Sequence, residues 1–207
     1  MKALSQSKLD RILSLDPNYP VDIWTVQENC SWFTEQFVDG YFTASWNHKE
    51  SFQNNFEGFP HAYNWLRKEL SNRIEGYSGD APIWAWLVKP NIREYMRRLW
   101  VEQKPDWILV HARVPLKRML LSCYDMWHSP LNNAPIIPIK EWDDNELFYN
   151  NQENIEATWH RVFDFNYTPW MVEEAGCSRR VQVCADRIYL NEVQSIKRIV
   201  GRKLVEL

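Results

Sequence analysis

Glycine is scarce in this chain: six residues in 207, none of them in a GxGxxG or Walker arrangement. Without a loop whose backbone N–H groups can wrap a phosphate, P-loop and Rossmann chemistry is excluded. A GxSxG nucleophile elbow is missing as well. The four cysteines, Cys30, Cys123, Cys177 and Cys184, are too few and too irregularly spaced for a disulfide scaffold or a zinc knuckle. They read as buried thiols of a reducing compartment. No apolar run is long enough to cross a bilayer, so no membrane partner is expected. The opening Met-Lys-Ala-Leu-Ser-Gln-Ser-Lys is too polar for a signal peptide, which makes the cytoplasm the expected location. Positive charge is not in excess either, with 24 Lys and Arg against 27 Asp and Glu. Nucleic-acid binding would therefore need a local patch, and Arg93, Arg97 and Arg98 beside Tyr95 and Trp100 are the candidate.

What the chain does have is tryptophan, twelve copies in all. Each indole carries an N–H that must find a partner when buried, or else serves as a contact surface. Trp84 and Trp86 stand two apart in Pro82-Ile83-Trp84-Ala85-Trp86, and Trp127 lies in Asp125-Met126-Trp127-His128. Trp65 and Trp159 fall on helical stripes and are expected in the core. Trp24, Trp84, Trp86 and Trp127 sit in short polar-aromatic motifs and are the ones to test. Trp46, in a polar loop over 43–58 with Phe42, His48, Phe52 and Phe56, is the expected exposed contact.

The pattern predicts a short helix over 5–15, a strand over 21–27 and a helix over 59–74 whose stripe is Phe59, Ala62, Tyr63, Leu66, Leu70 and Ile74. Strands are expected at 83–88, 107–114, 118–122 and 180–190, with a basic amphipathic segment at 91–103. Residues 125–132 read as a turn or single helical turn, and 141–149 and 153–163 as helices. Val193, Ile196 and Ile199 recur in 191–200. Strands and helices do not alternate regularly. The expected class is α+β: one domain over 21–207 behind an N-terminal helical extension over 1–20, its small mixed or antiparallel sheet, split or continuous, packed by helices.

Strand alternation assigns faces. Ile108, Val110, Ala112 and Val114 share one face of their strand, leaving His111 and Arg113 on the other. Thr25 and Gln27 lie with Ile23, and Gln182 lies opposite Val181 and Val183. If the unusual faces meet in one sheet, Thr25, Gln27, Trp84, Trp86, His111, Arg113 and Gln182 line a common cleft. The densest polar-aromatic cluster is Asp125 to Asn132, in which His128 is a candidate base oriented by Asp125, or binds a polar ligand with Asn132. Its bland reading is a turn held by Asp and Asn side chains. Glu156 and His160 have metal-ligand spacing on one helix, but no further ligand follows, so no metal is expected.

Trp24-Thr25-Val26-Gln27, Pro82-Ile83-Trp84-Ala85-Trp86, Leu120-Leu121-Ser122 running into Asp125-Met126-Trp127-His128 with Leu131-Asn132, and Ala157 to Asp164 form an ordered set. In that order they resemble the bacterial and viral family catalogued as domain of unknown function 3841, over about residues 21–200. A weaker likeness joins the first strand, the aromatic second strand and the late strand from Gln182 to ADP-ribosyltransferase-like domains. Those domains use a late-strand Glu on the ribose of NAD; here Cys184 takes that place, with Gln182 and Asp186 nearby. The resemblance thus implies a nucleotide site with a degenerate catalytic position.

Two functions are expected to compete. In the first, a Trp-lined cleft binds NAD or another nucleotide: Trp84 and Trp86 offer ring faces, Gln27 and Gln182 bond ribose or amide, and His111 with Arg113 neutralises phosphate. His128 and Gln182 are then the catalytic candidates. In the second, the chain is a non-catalytic protein-binding module, such as an inhibitor in phage–host conflict, presenting Trp46, Phe52 and Phe56 to a protein partner.

Overall fold

The computed structural model describes residues 3–27, 37–46, 59–98, 107–138, 151–167, 180–201 and 203–206. Five helices lie in these residues: α1 (Gln6–Leu13), α2 (Phe59–Arg73), α3 (Ile92–Arg98), α4 (Tyr124–Leu131) and α5 (Gln152–Trp159). Nine strands accompany them: β1 (Pro20–Gln27), β2 (Tyr41–Phe42), β3 (Ile83–Trp86), β4 (Trp107–Pro115), β5 (Met119–Cys123), β6 (Val181–Ala185), β7 (Ile188–Tyr189), β8 (Val193–Val200) and β9 (Lys203–Glu206). Seven strands make one antiparallel sheet in the order β5-β6-β3-β1-β4-β8-β9, and β2 pairs with β7 in a small second sheet. The class is α+β, as the sequence pattern predicts. No described helix is long and apolar enough to cross a membrane.

The sheet is continuous but nearly parted. β1 and β4 pair over their whole length, Pro20 with Pro115 through Gln27 with Ile108. β1 and β3 meet at one pair only, Trp24 with Trp86. β3 then pairs with β6, and β6 with β5, along four and five residues.

The helices form where the sequence supports them locally. Pro60 in the first turn of α2 gives up no intrahelical bond, and Ala62, Leu66 and Leu70 bury one stripe of that helix along with Trp65. Asn151 caps α5, its side chain accepting the Glu153 N–H at 2.9 Å. α4 replaces the expected turn, because its end is closed by backbone rather than by side chains alone. Ala134 donates to the Ser129 carbonyl at 2.9 Å and Asn133 to that of Pro130 at 3.0 Å. Asn133 adopts φ 52°, a left-handed residue that Asn tolerates well, as a helix-ending motif requires.

Tryptophan ties the helices together. Trp65 of α2 stacks on Trp127 of α4 and Phe163, and meets Trp159 of α5 edge-on at 5.6 Å. Trp65 and Trp159 are core residues, as expected, and Trp127 joins them at 3 % exposure. Trp159 uses its N–H on the Ala134 carbonyl at 2.9 Å. A second, smaller cluster joins α3 to the β4–β8 end of the sheet through Ile92, Trp107, Leu109 and Ile199, with Trp24 packed against it.

Trp65→Ala is expected to cost about 3–5 kcal/mol, since it opens a cavity beneath three rings; urea melts of the two proteins measure it. Tyr63 gives a pH test. Burial, reinforced by the Cys184 thiol, pushes its phenol up to about 12, while a hydrogen bond with Trp84 pulls the other way. Its folded value lies above the ordinary phenol value of 10.0. The stabilisation from keeping it neutral is therefore complete below that unfolded value and is lost as pH rises through the folded one. A phenolate titration should lose one late-ionising tyrosine in Tyr63→Phe, while Tyr77, which burial also raises, stays late.

Candidate functional site

One residue from each of six strands stands in a single rank across the sheet. Ser122 on β5 opposes Gln182 on β6, and Gln182 opposes Trp86 on β3. Trp86 opposes Trp24 on β1, Trp24 opposes His111 on β4, and His111 opposes Ser195 on β8. Directly opposed residues of antiparallel strands share a face, so all six side chains lie on one side. At ~4.8 Å per strand the rank runs about 24 Å.

Its centre is aromatic. The His111 imidazole stacks on the Trp24 indole with centroids 4.8 Å apart and planes 5° from parallel. Asp22 holds that ring in place: its Oδ1 lies 2.8 Å from His111 Nε2 and 3.9 Å from Arg113 Nε. On the other side, Trp86 meets the Tyr124 ring at 5.2 Å. Tyr124 in turn meets His128 edge-on at 4.8 Å. A row of five rings therefore crosses from α4 to β4, with an imidazole at each end. Trp24 and Trp86 remain half-buried rather than sealed.

The other end of the rank is polar and shut. Gln182 is 7 % exposed and Ser122 1 %. Among the described residues, Gln182 Oε1 and Ser122 Oγ have no hydrogen-bond partner. Leaving such atoms buried and unpaired costs about 1–3 kcal/mol each. Arg180 borders this end, its guanidinium 4.6 Å over the Tyr124 ring and ion-paired with Asp125.

Not every sequence candidate joins the rank. Thr25 and Gln27 leave β1 on the opposite face, opposed to Val110 and Ile108. Thr25 Oγ1 donates to the Trp84 carbonyl at 2.7 Å, and Gln27 Nε2 donates to Thr25 Oγ1 at 2.6 Å. Trp84 is drawn beneath the helices by Tyr63 and Trp127. Asp125 does not orient His128; its carboxylate faces Arg180, and His128 Nδ1–H donates to the Tyr124 carbonyl at 3.0 Å. That bond fixes Nε2 as the outward nitrogen. Asn132 spends its amide on the His128 carbonyl at 2.6 Å, inside the helix-ending motif. Trp46 donates its N–H to Gly79 at 2.8 Å and lies under Arg67. Phe52 and Phe56 fall outside the described residues, as do the side chains of Arg97 and Arg98; Arg93 is exposed on α3.

Glu156 and His160 do not converge either. Glu156 bonds His61 of α2 at 2.7 Å, and His160 Nδ1 turns to the Ala157 carbonyl. His61 and Glu156 border an open groove of about 750 Å³ along the polar side of α2, with Arg67, Lys68 and Ser71. It is a separate place from the rank. The residues that sequence reasoning passed over are Ser122, Asp22, Tyr124 and Arg180. Ser122 left one trace, a lone hydroxyl in Met119-Leu120-Leu121-Ser122-Cys123.

A family model described as Domain of unknown function (DUF3841) matches residues 22–200. The chain belongs to the DUF3841 family. Searches of curated proteins and of solved structures find no match. The DUF3841 match opens within β1 and closes at the end of β8, so it contains every member of the rank and leaves out α1 and β9.

The Asp125–Arg180 pair is the polar fixture that holds Tyr124 in the row. Arg180→Met should cost about 3 kcal/mol, the lower end of the range for stranding a buried charge, because the Arg180 side chain is 20 % exposed. The double change with Asp125→Leu should recover most of that loss. A denaturant double-mutant cycle measures both.

Proposed function

We propose that this domain binds a nucleotide, with the base or a nicotinamide-like ring stacked at the Trp24–Trp86 seam. The observation that carries this reading is the rank itself. Two half-buried indoles on adjacent strands are flanked by an imidazole on one side and a buried carboxamide on the other. Indoles offer π faces to any flat ring, and such stacking is worth about 1–3 kcal/mol per base. Arg113, exposed next to His111, supplies the charge that suits a phosphate.

Binding is favoured over group transfer by the late strand. Cys184 is fully buried opposite Trp84, so no carboxylate replaces it at the place where the ADP-ribosyltransferase likeness expects one. Asp186 is already engaged by Ser78, through its N–H at 3.2 Å and its hydroxyl at 2.5 Å. The competing reading, a protein contact through 43–58, draws less support: Trp46 is committed to Gly79 and Arg67.

Titration with AMP, CMP and nicotinamide mononucleotide should quench tryptophan fluorescence. Trp86→Ala and Trp24→Ala should each weaken binding by ~5–150-fold, the equivalent of one stacking contact. Arg113→Gln should weaken the nucleotides while sparing the matching nucleosides. Flat fluorescence and unchanged melting across all three ligands would overturn the reading.

A further inference from the structure

The shut end of the rank deepens the stacking reading, on which this inference rests. Gln182 stands between Trp86 and Ser122, directly opposed to each. Its Oε1 is an acceptor with no donor, and Ser122 Oγ has no partner of any kind. Both side chains are more than nine-tenths buried. Opposed residues place their Cβ atoms about 4.5–5.5 Å apart, yet these two atoms do not bond each other. An antiparallel pair that only had to fill space would be better served by two apolar side chains. The chain instead keeps an acceptor and a hydroxyl side by side, at one edge of the indole on which a ring would lie.

We infer that Gln182 and Ser122 form a specificity subsite for a ring edge carrying an NH2 next to an acceptor, as in an amide or an amidine. Gln182 Oε1 accepts the N–H, and the Ser122 hydroxyl donates to the neighbouring carbonyl oxygen or ring nitrogen. Nicotinamide offers that edge as a carboxamide; adenine and cytosine offer it as an amine beside a ring nitrogen. An edge without the N–H leaves Oε1 unpaired, and a carboxylate there sets two oxygens against each other. Sites built to bond a polar group discriminate strongly against analogues that lack it, because their own buried atoms are stranded.

Two ligand pairs test this, each differing at the N–H. Nicotinamide mononucleotide is set against nicotinic acid mononucleotide, and AMP against purine riboside monophosphate, with binding read by tryptophan quenching. In the unaltered chain the N–H member of at least one pair should bind ~10-fold tighter or more, and which pair responds tells the amide from the amidine. Gln182→Met should erase that ratio, whereas Ser122→Ala should weaken both members of the responding pair, since both keep the acceptor that its hydroxyl bonds; each variant should keep or raise the melting temperature. The inference is overturned alone if both members of both pairs bind equally, if the ratio survives in Gln182→Met, or if Ser122→Ala leaves both affinities unchanged. It falls together with the stacking reading if no member quenches at all. Should Gln182→Met not fold, Ser122→Ala decides through its loss of affinity for both members, since it removes one small hydroxyl from a position that accepts a methyl.

Discussion

A single residue pair makes one sheet out of two. β5, β6 and β3 form a three-stranded unit, and β1, β4, β8 and β9 a four-stranded one. Between them the only ladder pair among the described residues is Trp24 with Trp86. Beyond that pair the Thr25 hydroxyl, not a backbone amide, takes the Trp84 carbonyl. A side chain thus satisfies what a ladder would otherwise satisfy, and the buried carbonyl is not orphaned as the strands diverge. The two indoles that mark the seam are half-buried, Trp24 resting against the small cluster around Trp107 and Leu109. The architecture therefore places its half-buried aromatic surface at the line where the backbone holds least.

The tryptophans divide according to what surrounds them. Trp65, Trp127 and Trp159 interlock three helices, and Trp84 follows them under Tyr63 and Trp127. Two positions further along the same strand, Trp86 meets the ring of Tyr124, the first residue of α4, and borders Trp24 across the seam. The difference follows from where the helices end rather than from β3 itself. α4 begins at Tyr124, directly after β5, so its first turn reaches the rank while its later residues pass over Trp84. The Asp125–Arg180 ion pair and the cation over the Tyr124 ring keep that first turn in place.

Much of this was legible in the residues, and the failures have identifiable causes. Alternation in β4 and the stripe of α2 were read correctly because each has a single period set by one buried face. The pattern predicts one strand over 180–190, but the chain breaks at Asp186, whose carboxylate is drawn off by Ser78 while Ile188 and Tyr189 leave to pair with β2. Val193 and Ile196 are three apart, a helical spacing, yet they lie on one face of a strand. The register shift between His111 and Ala112 inserts Gln194 as an extra residue, so Val193 opposes Ala112 and Ile196 opposes Val110. A bulge turns an odd spacing into a same-face pair. The cleft was half legible: sequence gives each strand's faces but not which strands are neighbours. Thr25 and Gln27 were therefore grouped with residues on the opposite side, and Ser122 was not grouped at all.

The Ser122 and Gln182 oxygens are buried side by side without a partner, and that juxtaposition favours a role for the rank; the Trp107 N–H on β4 is an isolated second case. Trp159, Trp46 and Thr158 all have partners for their polar atoms, although each is built into packed helices or loops. Unpaired buried oxygens gather instead at Ser122 and Gln182, next to the weakest backbone junction in the sheet. Consistent sequences depart from such rules where something other than stability is served. A seam joined by one pair also opens at lower free energy than the doubly paired strands around it. The same place therefore combines a stacking surface, unmet hydrogen-bonding capacity and a low-cost route by which a ring edge reaches it.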